Sequence, residues 1–219
     1  FKPRKEGGKF RFVLFDLDGT FATTDVFNTF EYKQYNHVFD LIYDTGERMT
    51  GEIKWVTIFL NMLQNEQFRK QFIDTYCLVT GSVFEPQRCN AIIDSMATYT
   101  ERVLSYEGKS PWGTANSLKN NLRNRQQTMI NSLANYRRMQ LSGVKQHSVS
   151  LSSNLPEARL LVNNLPVPTG KFSGTLFGDI TLRAEAPAGY RFAGWTNNSG
   201  EAVALFSKGS EWQYYDKGS

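Results

Sequence analysis

An α+β chain is predicted, with helices first and short strands after them, and three observations carry the prediction. Apolar residues recur at three- and four-residue spacing from Trp55 to about Leu141. Beyond Ser142-Gly143 the pattern changes to short alternating runs separated by Gly, Pro and Asn. The charge divides at the same place, since residues 1–146 hold 19 Lys or Arg against 15 Asp or Glu while residues 147–219 hold 6 against 6. The expected organisation is one unit over residues 1–146 and a small all-β accessory domain over residues 147–219.

Within the first unit, Gly7-Gly8 separates a strand end from the apolar run Phe12 to Phe15, which predicts a β-hairpin. Residues 21–55 show no sustained period and predict a long, partly helical connection. Asn65 is the expected N-cap of a helix carrying Phe68, Phe72, Tyr76 and Val79 on one face, with Gly81 as its end. Pro86 suits the first turn of the next helix, whose apolar face runs through Cys89, Ile92, Ile93, Met96 and Val103. After a Gly108 to Gly113 loop, in which Trp112 is expected to anchor in the core, Leu118 to Tyr136 predict one last helix reaching about Leu141. Lys119, Arg123, Arg125, Arg137 and Arg138 lie along it without an acid, which reads as a solvated basic face. The second unit offers six candidate strands: 147–151, 158–165, 179–186, 190–195, 202–207 and 211–215.

The chain's 219 residues, 40% hydrophobic and 14% aromatic, exclude a disordered or collagen-like protein. A formal charge of +4 is too weak to predict a nucleic-acid partner. No apolar run approaches the roughly 18 residues of a membrane span. The chain begins at Phe1, so a fragment or a processed product is expected. Cys77 and Cys89 are too few for a disulfide framework or a four-ligand zinc site and are read as free thiols on two helices. His37 and His147 have no second ligand at metal-binding spacing.

One tract carries chemistry. The apolar strand Phe12 to Phe15 delivers Asp16-Leu17-Asp18-Gly19-Thr20, placing two carboxylates at n and n+2 where the chain leaves a strand and bends at a glycine. Such a pair can face a hard cation such as Mg2+ and the phosphate that the cation neutralises. Taken alone, the tract resembles the first motif of the haloacid dehalogenase-like phosphatases, in which Asp16 would be the nucleophile and Asp18 the general acid and base. That fold needs a parallel, doubly wound sheet, and residues 81–144 show no βα alternation.

More of the chain resembles the CotH family of atypical protein kinases. The resemblance runs in order through Gly7 to Asp18, Leu63-Gln-Asn65-Glu-Gln-Phe68-Arg69-Lys70-Gln-Phe72-Ile73-Asp74, Phe84-Glu-Pro86-Gln-Arg88 with Ile93-Asp94, and Leu122-Arg123-Asn124-Arg125. It implies that residues 1–146 are the hairpin and helical C-lobe of a protein-kinase-like fold, using ATP and Mg2+, with Asp16 and Asp18 as metal and cofactor ligands. The family's general base, second metal ligand and phosphate-binding Lys are expected upstream of Phe1, so no catalytic residue is assigned here. This stretch alone is therefore expected to be inactive. Arg69 and Arg125 are read as internal ion-pair partners, and Asp25, Asp40 and Asp44 as residues of the variable connection.

Thr181 to Trp195, with its Gly189-Tyr-x-Phe-x-Gly-Trp195 run, resembles small β repeats of bacterial surface proteins, where Tyr190, Phe192 and Trp195 would fill a small core. Together the resemblances imply a secreted or cell-surface bacterial protein that meets a protein substrate or a surface partner. A non-catalytic adhesion protein built on the same fold is the second reading. Nothing in the sequence sets the oligomeric state.

Overall fold

The computed structural model describes residues 53–197, with side chains from Ile58 onward. The expected hairpin, Asp16, Asp18, His37 and the strands at 202–207 and 211–215 lie outside the described residues. The described part is an α-helical region followed by a small β region. Its helices are α1 (Ile53–Met62), α2 (Glu66–Ser82), α3 (Pro86–Ser105), α4 (Trp112–Leu122) and α5 (Arg125–Asn135), followed by a 3-10 turn at Arg137–Met139. Five strands follow: β1 (Gln146–Ser152), β2 (Arg159–Val162), β3 (Leu165–Pro166), β4 (Lys171–Phe177) and β5 (Leu182–Glu185).

Helix α2 starts as the sequence predicts, with the Asn65 side chain accepting from the Phe68 N–H at 2.9 Å. It does not stop at Gly81. The helix continues through Ser82, because this glycine serves close packing rather than termination: it keeps ordinary helical backbone and faces the ring of Phe172 on β4. A Cβ at Gly81 would lie 2.3 Å from that ring. The single helix expected to reach Leu141 is two helices with a break at Arg123-Asn124, where Asn124 takes φ −108° and ψ 6°.

The β region forms two small sheets. β1 and β4 pair antiparallel, with Leu151 opposite Phe172 and Val149 opposite Gly174. β3, β2 and β5 form the second sheet in that order. The predicted strand at 158–165 is instead the hairpin β2–β3, reversed at Asn163-Asn164 with φ of 49° and 64°. Two consecutive residues at positive φ are what a tight two-residue hairpin turn requires, and Asn tolerates them better than most side chains. Strand β4 is absent from the sequence expectation because Gly174 takes an apolar place between Phe172 and Leu176 and interrupts the alternation that Lys171, Ser173 and Thr175 otherwise keep. Tyr190 to Trp195 is not a strand; Trp195 packs against the core and Phe192 meets it edge-on, with ring centroids 5.4 Å apart.

Helices and strands share one core. Ile73, Cys77 and Leu78 of α2 and Ile130 and Leu133 of α5 pack with Leu151, Leu160, Val162, Phe172 and Leu176 from the strands. Phe172 is 1% exposed at the centre of the crossing. Gln126 of α5 joins the same crossing, donating to Ser173 O at 2.8 Å and Thr80 O at 3.3 Å.

The crossing predicts a sign reversal for glycine substitutions. Helix propensity alone favours Ala over Gly by about 1 kcal/mol. At Gly81 the clash exceeds this, so Gly81→Ala should lower stability by roughly 1–3 kcal/mol in urea unfolding. Gly113 in α4 has nothing within 4 Å of the place a Cβ would take, so Gly113→Ala should leave stability unchanged or raise it.

Candidate functional site

Asp16 and Asp18 fall outside the described residues. Among the described residues no group of three or more His, Cys, Asp or Glu side chains could hold a metal ion. His147 is half-buried on β1 opposite Leu176. What the structure does place are the later segments singled out in the sequence, and these act as joints of the helical region.

Arg69 donates from Nη1 to Leu63 O at 2.8 Å, closing the turn between α1 and α2. This is a carbonyl contact rather than the expected ion pair. Glu85 caps α3, its two oxygens accepting from the N–H groups of Gln87 at 3.0 Å and Arg88 at 2.8 Å. Arg88 in turn donates to Val83 O at 3.0 Å. Asp94 pairs with Lys119 at 2.6 Å and so fastens α3 to α4. Trp112 is half-buried and donates from Nε1 to Glu101 at 2.8 Å, tying α4 to the flank of α3 rather than entering the core.

The basic run is not one solvated face. The break at Asn124 divides it, with Lys119 on α4, Arg123 at the break, Arg125 on α5, and Arg137 and Arg138 in the 3-10 turn; Lys119 is held by Asp94, and Arg123 donates to Asn120 Oδ1 at 2.9 Å. Arg125 is half-buried near Tyr76, and desolvation draws its guanidinium pKa downward against the pull of the tyrosine. Burial raises the Tyr76 hydroxyl pKa, with Arg125 opposing, and that hydroxyl lies 3.4 Å from the Met129 sulfur.

The most developed polar arrangement is one that sequence reasoning misses. Asp74, 4% exposed on α2, accepts at Oδ2 from Lys70 Nζ at 3.3 Å and from Asn163 Nδ2 at 3.0 Å. Asn163 is the first turn residue of the β2–β3 hairpin, and its Oδ1 accepts from the Thr181 N–H at 2.8 Å. Its own N–H donates to Thr181 O at 2.9 Å. One helix carboxyl thus holds a turn side chain that also holds the entry to β5. The Asn-Asn pair is the signal available in the sequence, since such pairs favour turns; its partner 89 residues earlier is not readable from spacing.

Both cysteines are free. Cys77 is fully buried, and burial, reinforced by the Asp74 charge, pushes its thiol up to about 12. Cys89 is half-buried, and burial raises it as well, with Arg88 opposing and Glu85 assisting. Neither has the lowered pKa of a catalytic thiolate.

A family model described as CotH kinase protein matches residues 3–141, well over half of the chain. No curated protein and no solved structure gives a significant match.

The tie between helix and hairpin turn can be measured directly. Asp74→Ala and Asn163→Gly should each cost about 1–3 kcal/mol, because each leaves a polar partner without its bond. Their double variant should cost less than the sum, as read by a double-mutant cycle in urea. The Cys77 thiol keeps its proton in the folded state while the unfolded thiol loses it above about pH 8.5, so the folded state holds more protons there. Stability should therefore fall as pH rises between about 9 and 12, and thermal melts of Cys77→Ala should show a shallower decline.

Proposed function

The chain belongs to the CotH family, and from that premise we propose a kinase-like phosphotransferase that uses ATP and Mg2+ to phosphorylate a hydroxyl of a protein substrate. The observation that carries this reading is that the family match begins at residue 3 and so includes Asp16-Leu17-Asp18 together with the helices that follow. The donor chemistry suits the metal: two carboxylates supply the hard oxygens that Mg2+ prefers. Bound there, Mg2+ would neutralise charge on the nucleotide phosphates. Asp16, with Asp18 beside it, is assigned to holding it. The Asn65 and Glu85 caps, the Arg69 tie and the Asp94–Lys119 bridge hold the described helices of the same family region together.

The fold supports this reading over the phosphatase with an Asp16 nucleophile. Residues 53–145 contain helices and no strand among the described residues, and the strands at 146–185 pair antiparallel. A parallel doubly wound sheet would need βα alternation there.

One observation favours a non-catalytic surface protein on the same fold. Asn65, Arg69, Glu85, Arg88 and Asp94, polar residues of the matching segments, are all engaged in holding helices together. In either case a secreted or cell-surface location in a bacterium is proposed from the family and from the surface-repeat resemblance of 181–195. No described helix is long and apolar enough to cross a membrane.

Transfer of labelled phosphate from ATP, measured on the full-length protein with Mg2+, tests the proposal. Asp16→Asn and Asp18→Asn should reduce transfer, the metal-holding residue by at least about 100-fold, without changing the thermal melt. Activity in both variants equal to that of the unsubstituted protein would overturn the metal assignment. A folded full-length protein that transfers no phosphate would favour the surface-protein reading.

A further inference from the structure

Helix α3 has two unlike faces. Asp94, Ala97 and Glu101 turn toward α4, where Asp94 meets Lys119, Glu101 meets Trp112, and Ala97 is 4% exposed. On the opposite side Cys89, Ile92, Met96, Tyr99, Val103 and Tyr106 recur at spacings of three and four, the a/d pattern of a helix–helix seam. Helical backbone extends through Tyr106, which keeps φ −65° and ψ −23°. These side chains are not core: Tyr99 is 86% exposed, Tyr106 80%, Val103 66%, Met96 65% and Ile92 42%. Between residues 89 and 106 the charged side chains are Asp94, Glu101 and Arg102, and two of these three point at α4. An exposed face rich in Tyr and Met and nearly free of charge has the composition of an interface centre, not of solvated surface.

We propose that this face is the contact between two copies of the chain, with α3 packed antiparallel on α3 of the second copy. The stripe is complementary to itself when reversed about a point between Met96 and Tyr99. Cys89 then meets Tyr106 of the second copy, Ile92 meets Val103, and Met96 meets Tyr99, so that a smaller side chain opposes a larger one at both ends. A parallel pair would instead stack Tyr99 on Tyr99 and Tyr106 on Tyr106, and would align the helix dipoles unfavourably. The area suffices. At roughly 150–200 Å² for a whole side chain of this size, the exposed fractions amount to about 600 Å² per copy. Complete burial of the stripe in two copies would remove about 1,200 Å², the lower bound of a specific interface, with flanking residues adding to it. This inference does not depend on the phosphotransferase reading.

Sedimentation velocity of the full chain over about 1 to 100 micromolar should show a species of twice the 25.0 kDa chain mass that dissociates on dilution. Tyr99→Glu and Val103→Glu should each raise the dissociation constant at least about 30-fold, with an unchanged circular dichroism spectrum because both positions are exposed. Tyr106→Cys should form a disulfide-linked dimer under mild oxidation through Cys89 of the second copy, and adding Cys89→Ser should abolish it. A chain that remains monomeric at every concentration overturns the proposal. A dimer that survives Tyr99→Glu places the interface elsewhere, and one that Tyr106→Cys fails to cross-link contradicts the antiparallel register.

Discussion

The close approach of α2 and β4 is the constraint on which the described structure depends. Gly81 and Gly174 face each other at the crossing, so close that a Cβ on Gly174 would lie 3.2 Å from the Gly81 Cα. Phe172 lies over Gly81 and is almost wholly buried. Glycine at both positions lets a helix and a strand approach without side chains between them, and the ring fills the volume that those side chains would have taken. Burial of Cys77 and Leu78 on one side and of Leu151 and Leu176 on the other follows from this contact. The thiol of Cys77 is held protonated for the same reason: it sits in an apolar interior beside a carboxyl.

A second tie, polar rather than apolar, fixes how the β region is oriented on the helices. The Asp74 carboxyl and the Asn163 amide connect α2 to a hairpin turn, and Asn163 passes the connection to the start of β5. A buried carboxyl is costly unless bonded, so the turn and the helix each satisfy a polar group that the other would leave without a partner. The stretch shared with the CotH family ends at residue 141, yet Leu133 and Met139 within it pack in the same core as Leu160 and Phe172 beyond it. Secondary structure changes near residue 146, while packing runs across the change.

Local signals in the sequence are legible where local physics decides. Asn65 and Pro86 mark helix starts because capping and the missing proline N–H act within one turn. The α3 stripe is visible as periodicity, but spacing does not say whether a face is covered by the same chain. Its Ile92, Met96 and Val103 share the expected apolar face and are nonetheless exposed. Gly81 and Gly174 mislead in complementary ways. One suggests a helix end and the other hides a strand, because a glycine needed for close contact looks the same in sequence as a glycine needed for a turn. The Asp74–Asn163 bond spans 89 residues and no local rule reaches that far. The Asp-x-Asp tract is legible as chemistry, and the family match covers it, while its geometry lies outside the described residues.

Native-state hydrogen exchange on α2 and β4 tests the shared core most directly. Amides of Cys77 to Ser82 and of Phe172 to Phe177 should open together, with one free energy and one denaturant dependence, because each element buries the other's apolar face. If β1 and β4 exchange through an opening of low free energy while α2 stays protected, the strands form an independently unfolding unit, and a core held jointly across the Gly81–Gly174 crossing is contradicted.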